Sequence, residues 1–67
     1  MSVDHFKALV AKAASGAVLS KAEAADAFDT IMDGKATEPQ IAAFLTALHM
    51  RGETVDEIAA AVQALRA

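Results

Sequence analysis

The stretch 38–66, EPQIAAFLTALHMRGETVDEIAAAVQALR, decides the fold of this chain. Two apolar patterns of helical period lie on either side of Gly52. Before it, Ile41, Phe44, Leu45 and Leu48 recur every three or four residues, the spacing that puts side chains on one helix face. After it, Val55, Ile58, Ala61, Val62 and Leu65 do the same. Gly52 suits the left-handed position just past a helix end. Thr54 with Glu57 then fits a capping box, in which the hydroxyl accepts from the N–H three residues on and the carboxylate reaches back to the cap's own N–H. A helix, a tight turn and a second helix follow from these residues alone.

The same punctuation recurs towards the amino end. Gly16, Gly34 and Gly52 are spaced eighteen apart, and each precedes a capping pair: Ser20 with Glu23, Thr37 with Gln40, Thr54 with Glu57. The residues between the glycines do not match one another, so the spacing marks helix ends rather than an internal repeat. Pro39 falls in a first helical turn, where its missing N–H loses nothing. Leu19 and Ala36 precede their caps and can pack on Ala24 and Ile41 as hydrophobic staples. The pattern predicts helices over 3–15, 21–33, 38–51 and 55–65, and no alternating β-branched run predicts a strand. The expected fold class is all-α, a small bundle of four short helices joined by Gly-containing turns, with 1–67 a single helical domain.

Composition bounds what such a bundle can do. Of 67 residues 55% are apolar, but 18 of these are alanine, so only 19 are large. A chain this short buries roughly 60% of its unfolded surface, and with no cysteine it has no disulfide or thiolate metal site to staple it. Close helix packing, or an apolar face covered by another domain or subunit, has to supply the rest. The net charge of −3, with basic residues scattered singly, argues against nucleic acid, because phosphate binding needs clustered Lys and Arg. The longest uncharged run, 39–50, is too short to span a bilayer, and the amino end lacks the order of a signal peptide. A soluble, cytoplasmic location without membrane contact is therefore expected.

Helix one carries a one-sided stripe of Val3, Phe6, Leu9, Val10 and Ala13, and helix two one of Ala24, Ala25, Phe28, Ile31 and Met32. Helix three differs, since Ala42, Ala43, Ala47 and Met50 keep the side opposite Phe44 apolar too. That pattern predicts a central helix buried on more than one side, with one side on the core and the other on a partner. The expected core is Leu9, Phe28, Ile31, Ile41, Phe44, Leu45, Leu48, Ile58 and Val62.

Catalytic chemistry finds no candidate. His5 and His49 each lack a second histidine three or four residues away, so no cluster of metal ligands forms. Asp29 with Asp33 and Glu53 with Glu57 share helix faces, and paired carboxylates can do acid and base work, but the solvated-face reading is preferred where no pocket is indicated. Gly34-Lys35-Ala36 fails as a phosphate loop, because it lacks the Ser or Thr after the lysine, the earlier glycine and the preceding strand. Ser2, Ser15 and Ser20 have no histidine base at near spacing, and Ser20 is accounted for by capping. The methionines and phenylalanines read as core and interface filling. Catalytic, cofactor-binding and metal residues are all expected to be absent from this chain.

The stretch 38–66, and LSKAEAADAFDTIMDGKATEPQ at 19–40, closely resemble the amino-terminal helical domain of the anthranilate phosphoribosyltransferase family. The residues that carry the resemblance are Leu19, Ser20, Glu23 and Ala24; Ile31, Met32 and Gly34; the run Gln40 to Leu45 with Ala47 and Leu48; and Arg51, Gly52, Glu53, Thr54, Glu57 and Ile58. The family enzyme transfers the phosphoribosyl group of phosphoribosyl pyrophosphate to anthranilate, with magnesium, in tryptophan biosynthesis. The resemblance implies that the pyrophosphate loop, the magnesium ligands and most anthranilate contacts lie in a following α/β catalytic domain that is absent here. Residues 1–67 would then be the N-terminal domain of a larger enzyme and inactive alone.

The resemblance further implies that this domain packs on the catalytic one, borders the closing cleft and supplies a homodimer interface through its first and third helices. Val3, Phe6, Val10, Ala43, Ala47 and Met50 are the expected interface residues. Two alternatives use the same fold. One is a stand-alone helical interaction module. The other is the equivalent domain of a pyrimidine nucleoside phosphorylase, whose Gly-Met-Thr type turn differs from Gly52-Glu53-Thr54.

Overall fold

The computed structural model describes residues 3–66, with Val3 through its backbone only. Four helices run in order: α1 Val3–Ala14, α2 Lys21–Met32, α3 Glu38–Arg51 and α4 Val55–Arg66. They lie within a residue or two of the predicted spans. The starts of α2 and α3 follow the local chemistry of their caps. Ser20 Oγ accepts from the Glu23 N–H at 3.1 Å while Glu23 Oε1 accepts from the Ser20 N–H at 2.8 Å, and Thr37 with Gln40 repeats the exchange at 3.2 and 2.9 Å. The stops follow the glycines. After α2, the Gly34 N–H donates to Ile31 O and the Lys35 N–H reaches back to Thr30 O, both at 3.1 Å. Gly34 has φ of 74°, a backbone that a Cβ would strain.

The helices pack chiefly in two pairs. α2 lies most extensively on α4 and α1 on α3, with a smaller α1–α2 contact. Among the described residues, no comparable contact joins α3 to α4, although only the turn 52–54 separates them. The core is built where the pairs meet. Phe44 of α3 is fully buried, with its ring centroid 5.6 Å from that of Phe6 on α1 and 5.6 Å from that of Phe28 on α2, the second contact edge-on. Leu9, Ala13, Leu19, Ala24, Ala27, Leu48 and Ala60 close around this aromatic junction. Such ring pairs prefer tilted and edge-to-face arrangements, worth about 0.5–1.5 kcal/mol each beyond their buried area.

Several expectations are corrected by this packing. Phe6, expected at a homodimer interface, is fully buried inside the chain because its ring completes the junction with Phe44. Leu45, Ile58 and Val62, expected in the core, are 46%, 53% and 43% exposed. The reason is the choice of face on α4, which buries Glu57, Ala60 and Ala64 and leaves its large aliphatic stripe outward. Small residues let the α2 and α4 backbones approach closely, so the alanine face wins the contact. Phe28 and Ile31 are half-buried against the core, and Ile41 is also half-buried. Helix α3 packs chiefly on α1, with Phe44 and Leu48 buried, and leaves Ala42, Ala43, Leu45, Thr46, His49 and Met50 exposed. The side chain of Val3 lies outside the described residues.

Candidate functional site: two open faces and a buried carboxylate

The third capping box does more than cap. Glu57 Oε1 accepts from the Thr54 N–H at 2.9 Å, and Thr54 Oγ1 accepts from the Glu57 N–H at 3.2 Å. The other carboxylate oxygen, Oε2, accepts from the Leu19 N–H at 3.2 Å and from Arg51 Nη2 at 2.5 Å. One side chain thus joins the α1–α2 connection, the end of α3 and the start of α4. Arg51 is fastened as well by Nη1 on the Gly52 carbonyl at 3.1 Å, and its buried Nε finds no acceptor among the described residues. Burial pushes the Glu57 carboxyl upward, but the Arg51, Thr54 and Leu19 hydrogen bonds outweigh it, and the group is held below its ordinary value.

A second ion pair crosses from α1 to α2. Lys12 Nζ lies 2.7 and 3.0 Å from the two Glu23 oxygens. The Lys12 contact first, and then the Ser20 N–H, hold Glu23 at about 2. Both acidic cap residues are therefore engaged. Glu53 and Glu57, which the sequence pairs on one face, do not act together, because Glu57 is sealed against Arg51 while Glu53 faces His49 at 3.9 Å. His5 lies 3.6 Å from Asp26. Among the described residues no three His, Cys, Asp or Glu side chains gather, and no helix is long and apolar enough to cross a membrane.

Two apolar grooves flank α3 on opposite sides. Ala43 and Leu45 sit two residues apart, roughly 200° round the helix, and each belongs to a different groove. The first, of about 570 Å³, runs between α1 and α3 and is lined by Ala13, Ala14, Ala42, Ala43, Ala47 and Met50, with Arg51 at its end. Of the predicted interface residues it takes in Ala43, Ala47 and Met50, the last 81% exposed. Val10 is half-buried against the core. The second, of about 560 Å³, opens between α3 and α4 over Phe28 and Leu48, with Leu45, Ile58, Val62 and Leu65 on its walls. The sequence reading missed this groove, having assigned three of those four wall residues to the core.

Residues 7–67 match the model of the glycosyl transferase family, helical bundle domain. The chain belongs to that family. The helical bundle domain here is 55% identical over 65 residues to the anthranilate phosphoribosyltransferase of Methylocella silvestris, a span of 97% of this chain and 19% of that protein. It is 62% identical over 60 residues to the same-named protein of Chelativorans sp., covering 90% of this chain and 18% of the relative. The Rhodopseudomonas palustris TIE-1 protein of that name is 55% identical over 62 residues, covering 92% and 18%. The domain spans less than a fifth of the length of these relatives. No solved structure matches it.

Proposed function

We propose that this helical bundle domain serves an anthranilate phosphoribosyltransferase as its pairing and cleft-bordering part, with the phosphoribosyl transfer of tryptophan biosynthesis carried out by polypeptide beyond these residues. The observation that carries the reading is the identity of more than half the residues, across nearly the whole chain, with proteins of that name. The capping residues agree with a structural role, since Ser20, Glu23, Thr37, Gln40, Thr54 and Glu57 are all occupied with helix starts. The magnesium used by the family enzyme does not fit the acidic cap residues of this domain: the Glu23 and Glu57 carboxylates are already neutralised by Lys12 and Arg51.

A graft tests the reading directly. Placed in the Methylocella silvestris enzyme in exchange for its matching segment, this domain is expected to support anthranilate-dependent consumption of phosphoribosyl pyrophosphate within about tenfold of the parent. A folded chimera that binds neither substrate nor its own second copy would sink it.

The homodimer face belongs to the same proposal. The groove between α1 and α3 suits a second copy, because small side chains let helices approach closely, and Val10, Ala43, Ala47 and Met50 border it or lie beside it. Ala47→Glu is expected to raise the dissociation constant of this contact by about tenfold or more, through an unpaired charge in a close helix contact. Sedimentation equilibrium checks it, with helical circular dichroism as the control for folding. An unchanged constant would move the pairing face elsewhere.

A further inference from the structure

The pair α1 and α3 meets the pair α2 and α4 along a thin seam. Across it run the smaller α1–α2 contact, the Phe28–Phe44 ring contact and the bonds of Glu57 to Arg51 and to the Leu19 N–H. Three ion pairs cross this seam, and all have the same polarity. Lys12 on α1 meets Glu23 on α2 at 2.7 Å, His5 on α1 lies 3.6 Å from Asp26 on α2, and Arg51 on α3 meets Glu57 on α4. In each the nitrogen partner stands on α1 or α3 and the carboxylate on α2 or α4. His49 and Glu53 pair locally, at the end of α3.

The helices as wholes repeat the bias. With histidine neutral, α1 and α3 carry three Lys or Arg against two Asp or Glu, a formal +1, whereas α2 and α4 carry two against five, a formal −3. Opposite charges therefore attract across the seam near neutral pH. At pH 2 the carboxylates are largely neutral and the histidines charged. Lys7, Lys12, Arg51, His5 and His49 then face Lys21 and Arg66, and the two pairs repel.

We propose that the domain opens along this seam, α2 and α4 swinging together away from α1 and α3, with the three crossing ion pairs as the closure that acid releases. The buried Arg51–Glu57 pair is the principal clasp, since Arg51 is the charged group facing Glu57 and protonation leaves that guanidinium without its counterion. Lys12 faces Glu23 and His5 faces Asp26 in the same way on the α1–α2 side. The connections 15–20 and 52–54 pass between the pairs, and each turns at a glycine of positive φ, Gly16 and Gly52, where an added Cβ would meet nothing within 4 Å. Nothing packed against these two glycines resists a swing there. Opening widens the aliphatic cleft between α3 and α4 and bares Phe28 and Leu48 at its base.

The chain has no cysteine, so spin labels can be placed on exposed residues in pairs: Thr46→Cys with Gln63→Cys across the seam, Ala14→Cys with Thr46→Cys within α1 and α3, and Ala22→Cys with Gln63→Cys within α2 and α4. Each labelled chain is diluted into unlabelled chain, so that only distances within one copy are read. As the pH falls from 7 to 2, the distance across the seam is expected to lengthen by about 5 Å or more, half a helix diameter, while both distances within pairs and the helical circular dichroism still hold. Lys12→Met should open at higher pH than the native chain, because it loses one closing contact. Lys7→Met, which removes the same charge from a lysine in no ion pair among the described residues, should not. The proposal is overturned if the seam distance stays unchanged down to pH 2, if all three distances broaden together with loss of helix, or if Lys12→Met opens no earlier than Lys7→Met.

Discussion

Phe44→Ala is expected to lower the stability of the domain by about 3–5 kcal/mol, the cost of emptying a ring-sized space in a core that collapses only partly. The ring is fully buried and touches both Phe6 and Phe28, so its loss separates α1, α2 and α3 at one point. A single core of this size rarely supplies more than about 3–5 kcal/mol in total, and the variant should therefore be largely unfolded at 25 °C. Thr54→Ala is the contrasting change. It removes the hydroxyl that accepts from the Glu57 N–H while leaving the core filled, and should cost about 1 kcal/mol. Urea unfolding followed by circular dichroism ranks the two. A Phe44→Ala chain more stable than the Thr54→Ala chain would mean that the aromatic junction does not hold the bundle together.

The helix starts were legible in the sequence because their cause is local. A hydroxyl and a carboxylate or amide three residues on satisfy each other's backbone donors whatever the rest of the chain does, and Ser20, Thr37 and Thr54 all do so. The all-α class followed from the same signals together with the apolar period. The division between core and surface was legible only in part: Leu9, Phe44 and Leu48 are buried as their spacing predicts, whereas Leu45, Ile58 and Val62 are not. Periodicity shows that α4 has an aliphatic side, but not that α2 will take its alanine side instead, which is decided by how closely two backbones can approach. Ile58 and Val62 were misplaced for that reason, and Leu45 with them, because the helix that would have covered it packs elsewhere. Phe6 was misplaced because its partner Phe44 is distant in sequence. Glu57 was visible only as a cap. Its bond to the Leu19 N–H spans 38 residues, and no spacing rule reports a contact of that separation.

Glu57→Ala is expected to be as damaging as the loss of Phe44, about 3–5 kcal/mol, although it removes no core hydrocarbon. Deleting one member of a buried ion pair strands the other, and here Arg51, only 10% exposed and already carrying an unpaired Nε, would lose its carboxylate. The Leu19 and Thr54 N–H groups lose their acceptor in the same step. Glu57→Gln should cost less, because its amide oxygen can still accept while the charge is gone. Acid provides the same test without mutation. The Glu57 carboxyl is held below its ordinary 4.5 in the folded chain, so its contribution is fully present above pH 4.5 and is lost as the pH falls through the lower folded value. Glu23, held at about 2, has the same sign, so its share fades between pH 4.5 and about 2. Urea midpoints should therefore decline from pH 5 towards pH 2 in the native chain, and less steeply in Glu57→Gln, where Glu23 alone of the two still titrates. Parallel declines in the two chains would show that the Glu57 carboxylate is not what fastens the α1–α2 connection to the α3–α4 turn.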